Sequence, residues 1–190
     1  KSYFDKKSKI KIGIARAGNV IGGGDWSDDR LIPDCIKCWS AGKKVKIRNP
    51  NSTRPWQNVL EALSGYILLA VKLHSNSKLH GEAFNFGPNN KHNYNVKFLL
   101  SEIRNIWPSI KWSTFSGKRS FKESNLLKLN CQKARSQLNW KSVLTFKENV
   151  NMTIEWYKAY YNKESKVGIK KFSENQIRKF SEIIDKRTKL

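Results

Sequence analysis

Residues 10–26, "IKIGIARAGNVIGGGDW", alternate and then run apolar before leaving through three consecutive glycines, an acid and a tryptophan. An apolar run of this kind reads as a buried strand, and glycines at its end let the backbone turn sharply or come close to another group. The next stretch has a different period. "RLIPDCIKCWSAG" spaces its apolar residues as a helix does, with Pro33 placed for a first turn and Gly42 as a stop. That change of period recurs down the chain. Strands are predicted in "KKVKIRNP", "GEAFNFGPNN", "KWSTF" and "LLKLN". Helices are predicted in "TRPWQNVLEALSGYILLAVKLHS" after Pro55, in "NVKFLLSEIRNIWPSI", in "CQKARSQLNW" and in "TFKENVNMTIEWYKAYYN". Thr145 and Glu148 have capping-box spacing at the start of the last of these. Strands that alternate with helices point to an α/β fold.

Composition narrows the class. A chain of 190 residues can bury one good core or a large part of a bigger domain. With 38% hydrophobic residues and seven tryptophans it is no disordered tail. No apolar run approaches the roughly 18 to 20 residues needed to cross a bilayer. The opening "KSYFDKKSKIKIGIA" has no signal-peptide pattern, so a cytoplasmic location is expected. The formal charge of +22 raises the question of a polyanionic partner. The lysines, however, are spread along the whole chain, with no block of five or six like charges. That is the pattern of a solvated surface which also attracts small phosphorylated ligands; no specific nucleic acid and no membrane partner is expected. Cys35 and Cys38 have CxxC spacing, but only Cys131 and three dispersed histidines remain to complete a zinc site. The pair therefore reads as core or half-buried thiols on a helix, and no metal is expected.

Chemistry is suggested at three places. A strand ending in Asn-Val-x-Gly presents the Asn19 side chain and free backbone N–H groups at the carboxyl edge of a sheet, where open α/β folds bind ligands. It is not a P-loop, because no Gly-Lys-Ser/Thr follows, and it lacks the GxGxxG order of a dinucleotide site. "VKIRNPNSTRPWQNVLE" sets Arg48 at a strand end and Arg54 just before a helix. Guanidinium groups there can grip a diphosphate in bidentate fashion and stay charged. "AFNFGP" puts a second asparagine, Asn85, and a turn at the end of another strand. Taken singly, each piece also has a plain reading: a common glycine turn, or an arginine stacked on a neighbouring tryptophan.

Taken in order, "ARAGNVIGGGDW", "DRLIPD", "IRNPNSTRPWQNVLE", "FNFGP" and "NWKSVLTFKENVNMTIEWY" resemble the extended short-chain dehydrogenase/reductase family of nucleotide-sugar enzymes, from about residue 10 to about residue 160. The glycine run before Asp-Trp, and Arg-Pro-Trp-Gln where the wider family has Arg-Asp-Trp, favour the branch acting on CDP-glucose. The resemblance implies an N-terminal Rossmann domain and a smaller C-terminal substrate domain. Residues 1–162 would be the C-terminal half, holding the last Rossmann elements and the substrate domain, and residues 163–190 a polar tail with room for a helix in "SENQIRKFSEII". It also implies an internal redox cycle with NAD: hydride leaves C4 of the sugar, water leaves across C5 and C6, and the hydride returns to C6. Carried over by position, Asn19 contacts the diphosphate or adjoining sugar, and Leu31 and Ile32 lie along the nucleotide. Arg48 and its strand line the base pocket, Arg54 anchors the diphosphate, and Asn85 belongs to the frame of the site. Arg119 falls where relatives close over the nucleotide. A homo-oligomer is expected of the whole enzyme.

The chain also departs from that pattern. Asn58 stands where a histidine is expected, and Asn130 where "LKLN" should end in an acid. The glycine-rich NAD fingerprint does not occur in the sequence. Of the tyrosines only Tyr3 has a lysine four positions on, Lys7, and the strand that follows leaves no room for the rest of a catalytic helix. "KSYFDKK" reads instead as the end of a helix already under way. The catalytic pair and the cofactor fingerprint are therefore expected upstream of residue 1, and this chain alone is expected to supply substrate contacts without turnover. Two other readings stay open: an epimerase, reductase or decarboxylase of another nucleotide sugar, and a non-catalytic basic protein that binds nucleic acid.

Overall fold

The structure is a computed structural model that describes residues 9–89, 94–114, 128–162 and 168–188. Strand β1 (Ile14–Ala17) pairs in parallel with β6 (Ala83–Phe86), with Ile14 opposite Ala83 and Ala17 opposite Phe86. A parallel pair needs a crossover, and helix α2 (Val59–Ser75) supplies it. The helix lies very close to the sheet. A Cβ on Gly65 would come 2.2 Å from Cδ1 of Phe86, so only glycine permits this approach.

Helix α2 begins later than Pro55 suggests. Ahead of it lie two short strands, β4 (Thr53–Arg54) and β5 (Gln57–Asn58). The first pairs antiparallel with β7 (Tyr94–Asn95), and the second pairs in parallel with β2 (Val20–Ile21). The cause is long-range hydrogen bonding. Buried Gln57 donates through Nε2 to the carbonyls of Gly18 at 3.2 Å and Phe86 at 2.7 Å, which holds its segment extended across the sheet. Asn58 then caps α2, its Oδ1 accepting from the Leu60 N–H at 3.0 Å.

The larger core lies between α1 (Leu31–Ser40), β3 (Val45–Ile47), α3 (Val96–Ile106) and α5 (Phe146–Tyr161). Strand β3 pairs in parallel with β8 (Trp112–Thr114). Ile36, Ile47, Leu99, Ile103, Ile154 and Tyr157 interlock there, all essentially removed from solvent. The capping box at the start of α5 forms in both directions: the Glu148 N–H donates to Thr145 Oγ1 at 3.2 Å, and the Thr145 N–H to Glu148 Oε2 at 2.7 Å. Residues 128–130 carry no strand. Asn130 Oδ1 accepts from the Gln132 N–H at 2.9 Å, turning that segment into α4 (Gln132–Leu138).

The C-terminal residues form α6 (Ile169–Thr188), a 20-residue helix longer than the stretch expected from the sequence. It docks on α5 through Phe180, flanked by Ile183 and Ile184, against Met152 and Leu144. Gln176 Nε2 donates to the Met152 carbonyl at 2.7 Å, and the Arg187 guanidinium grips the Glu148 carboxylate with two hydrogen bonds of 2.8 Å. Among the described residues no helix is long and apolar enough to cross a membrane.

Candidate functional site

A cavity of about 750 Å³ opens where β2 ends, between the loop that follows, the first turns of α1, strand β3 and strand β4. Five of the seven residues singled out in the sequence line it: Asn19, Leu31, Ile32, Arg48 and Arg54. Asn85 does not. Its Nδ2 donates to the Asn130 carbonyl at 3.1 Å, so its amide ties β6 to the approach of α4. Arg119 lies outside the described residues, as do Tyr3 and Lys7.

Local chain geometry sets these positions. Asn19 sits between β1 and β2 at φ +27°, a region asparagine enters more readily than most residues. Its carbonyl accepts from the Gln57 N–H at 3.3 Å. The glycine run that follows serves packing more than ligand approach. Of the three glycines only Gly22 lines the cavity, and a Cβ there would meet Val59 Cγ1 at 2.6 Å. Gly23 lies flat under the indole of Trp156, and Gly24 has φ +80°.

The rest of the loop is fastened to α5. Tyr157 Oη donates to the Asp25 carbonyl at 2.8 Å, and burial pushes its phenol up to about 12, so it acts as a neutral donor. The Asp25 carboxylate accepts from the Ser27 N–H at 3.1 Å and pairs with Arg30 at 3.4 Å. Arg30 also reaches the Val20 carbonyl at 3.4 Å. Trp26 meets the Tyr157 ring edge-on, with centroids 5.4 Å apart.

The cavity wall is mixed in charge. Arg30, Lys46, Arg48 and Arg54 face the same space as Asp25, Asp29 and Asp34, over an apolar floor that includes Ile32, Val45, Ile47 and Trp56. Arg54 Nη1 donates to the Thr53 carbonyl at 2.8 Å, which steadies the guanidinium on β4. Arg30, Asp34 and Tyr157 are absent from the sequence expectation. The first two lie inside "DRLIPD", where an arginine and an aspartate four residues apart flank the apolar pair.

Two unusual positions prove to be structural. Asn58 is buried away from the cavity wall. Its N–H donates to Asn149 Oδ1 at 2.8 Å and its Nδ2 to Thr153 Oγ1 at 3.4 Å, joining the start of α2 to α5. Cys35 is fully buried on α1, and burial pushes its thiol up to about 12. No group of three or more metal-ligating side chains occurs among the described residues.

The same architecture recurs in solved nucleotide-sugar enzymes. UDP-glucuronic acid 4-epimerase from Bacillus cereus, solved with UDP-glucuronic acid and NAD, superposes with a TM-score of 0.67 at 20% identity, over 82% of this chain and 48% of that one. UDP-glucose 4-epimerase from Thermotoga maritima, solved with UDP-glucose, gives 0.66 at 18% identity, over 84% of this chain and 50% of that one. The fold is thus the α/β fold of extended short-chain dehydrogenase/reductases. In sequence, the chain is similar to CDP-glucose 4,6-dehydratase of Salmonella typhimurium, 41% identical over 167 residues. That match covers 86% of this chain and 46% of the relative, so the chain spans about half the length of the protein it resembles. No protein-family model matches it.

Proposed function

We propose that this chain is the substrate-binding part of an enzyme that converts CDP-glucose to CDP-4-dehydro-6-deoxyglucose through an internal NAD redox cycle. The observation that carries the reading is convergence. Asn19, Leu31, Ile32, Arg48 and Arg54 come from separate elements and line one cavity of about 750 Å³, a size typical of small-molecule sites. Arg54 and Asn19 hold the diphosphate, the first through its paired N–H groups and the second through its carboxamide. Leu31, Ile32 and Ile47 give the nucleoside an apolar bed. Tyr157 and the aromatic side chains beside it pin the loop that closes one end against water.

Bound NAD would supply the hydride acceptor. The sequence holds no glycine fingerprint for it and, Tyr3 to Lys7 apart, no Tyr-x-x-x-Lys, so the residues here do not build a cradle for NAD and no hydride step is assigned to them. Among the described residues β1 pairs only with β6, and Ile14 on it is 45% exposed. Parallel strands are normally covered on both faces and continued at their edges. The open side of β1 therefore suits the further strands of a Rossmann sheet, which would bring the cofactor. Cytoplasmic location and pairing of the whole enzyme into a homo-oligomer belong to the same reading.

Calorimetric titration with CDP-glucose tests the assignment. Arg54→Ala is expected to weaken binding about 10- to 100-fold, the usual effect of losing charge-assisted hydrogen bonds. Equal affinity in the variant and the parent would remove Arg54 from the site.

A further inference from the structure

Helix α6 lies beyond the stretch that resembles the nucleotide-sugar family, which ends at about residue 160, yet its first turns reach the loop that borders the cavity. The link is Trp156. Its indole Nε1–H, the one polar group on that side chain, donates to Ser173 Oγ at 2.8 Å. The serine hydroxyl is itself oriented. It donates its own proton to the Ile169 carbonyl at 2.9 Å, one turn back, and so turns a lone pair toward the indole. Ser173 thereby fixes the rotation of a ring on which the loop rests without side chains of its own. A Cβ on Gly23 would collide with Cγ and Cδ2 of Trp156, and one on Gly24 would stand 3.5 Å from its Cη2. The two glycines therefore run along the length of the indole.

From there the contacts lead to the cavity. Asp25 follows Gly24 in the chain. Its carbonyl accepts from Tyr157, the neighbour of Trp156 on α5, and its carboxylate pairs with Arg30, which also donates to the Val20 carbonyl. Gly22, Asp25, Arg30 and Tyr157 all line the cavity. Two successive aromatic side chains of α5 thus hold the loop, and one of them takes its setting from α6. The helix does not need that bond to stay docked. Phe180 packs with Met152 and Leu144, Gln176 reaches the Met152 carbonyl at 2.7 Å, and Arg187 grips Glu148 through two bonds of 2.8 Å.

We propose that Ser173 is a positioning residue of the nucleotide site: through the Trp156 indole it sets where the Gly23–Asp25 backbone lies, and with it the Asp25–Arg30 pair on the cavity wall. It touches no ligand. The inference rests on the nucleotide-sugar reading above and adds that the C-terminal helix takes part in binding.

CDP titration of the protein and of three variants decides the matter. Ser173→Ala is expected to weaken CDP binding about 3- to 10-fold, a loss bounded by the worth of the one hydrogen bond that carries the effect. Ser173→Thr keeps the hydroxyl and should stay within about twofold of the parent. Gln176→Ala removes a different bond between α6 and α5; it should lower the melting temperature and leave CDP affinity unchanged. Reciprocity supplies a measurement that leaves Ser173 in place. Saturating CDP should slow solvent exchange of the Trp156 indole proton, identified in NMR spectra by its loss in Trp156→Phe. If Ser173→Ala bound CDP as tightly as the parent, or if Gln176→Ala weakened binding as much as Ser173→Ala does, the inference would be overturned and Ser173 would be one more tie that docks α6. An indole exchange rate indifferent to CDP would overturn it as well. In each of these cases binding by the parent leaves the nucleotide-sugar reading standing; no binding by the parent would remove that reading and the inference with it.

Discussion

A methyl group at Gly23 is expected to destabilise the protein by about 3 kcal/mol, near the top of the usual range for overpacking, and to weaken nucleotide binding with it. The new Cβ would stand 2.0 Å from both Cγ and Cδ2 of Trp156 and 2.7 Å from its Cβ. The indole has nowhere to go. Its Nε1–H donates to Ser173 Oγ on α6 at 2.8 Å, its face stacks on Tyr160 with 9° between the planes, and it packs edge-on against Tyr157. Either the loop lifts off α5 or Trp156 leaves Ser173. Lifting the loop draws the Asp25 carbonyl from Tyr157 and shifts the Asp25–Arg30 pair that faces the cavity. Urea unfolding measures the first effect and CDP titration the second. Adding Trp156→Ala to Gly23→Ala should recover part of the loss, with a coupling of about 1 to 3 kcal/mol in the double-mutant cycle. Stability within about 0.5 kcal/mol of the parent would show that this contact yields easily.

The contrast between Gly23 and its neighbours shows what a sequence can and cannot disclose. Three glycines after a strand announce a turn; that one of them lies under a tryptophan far along the chain depends on how α5 docks. Local signals translate well where partners are near in sequence. Thr145 and Glu148 form both bonds of their capping box, and α1, α3 and α5 fall where the helical spacing puts them. Signals fail where a distant group decides. Gln57 stays extended because it answers carbonyls at Gly18 and Phe86, so α2 starts at Val59 and not just after Pro55. Asn85 stands near the end of strand β6, as ligand-binding asparagines do, yet its amide donates to the Asn130 carbonyl. Lysines dilute the apolar pattern of α6, and its docking depends on Phe180 finding Met152. For the site, no single motif sufficed: Asn19, Arg48 and Arg54 are legible only as an ordered set, because the sheet topology brings them to one cavity. Asp34 escapes notice for the opposite reason. An acid in a first helical turn looks ordinary until the packing of α1 shows which space it borders.

Glu61→Gln is expected to flatten the dependence of stability on pH between about 4.5 and 7. Glu61 is 1% exposed in the first turn of α2, where an exposed acid would simply favour the helix dipole. Its Oε1 accepts from the backbone N–H groups of Val143 at 2.8 Å and Leu144 at 2.6 Å. Among the described residues Oε2 is buried with no hydrogen-bond partner. Burial pushes the carboxyl up to about 7 from an ordinary 4.5, against the opposing pull of the two N–H groups and of Arg187, while Glu148 adds to the rise. The folded protein therefore holds this proton more tightly than the unfolded chain does. The resulting stability is complete below about pH 4.5 and is lost as pH rises to about 7, a contribution of about 3 kcal/mol. Glu148 acts in another window: the Arg187 guanidinium holds it down to about 2, so its stabilising share disappears only as pH falls below about 4.5. Glutamine keeps an acceptor for both N–H groups and cannot ionise. Alanine orphans them, at a cost of about 2 to 6 kcal/mol at pH 5. Urea unfolding of the parent and both variants from pH 5 to 8 separates these effects. If the curve for Glu61→Gln ran parallel to that of the parent, the buried carboxyl would not be the group that titrates, and the joint between α2 and the Val143–Leu144 backbone would have to be held in its charged form throughout.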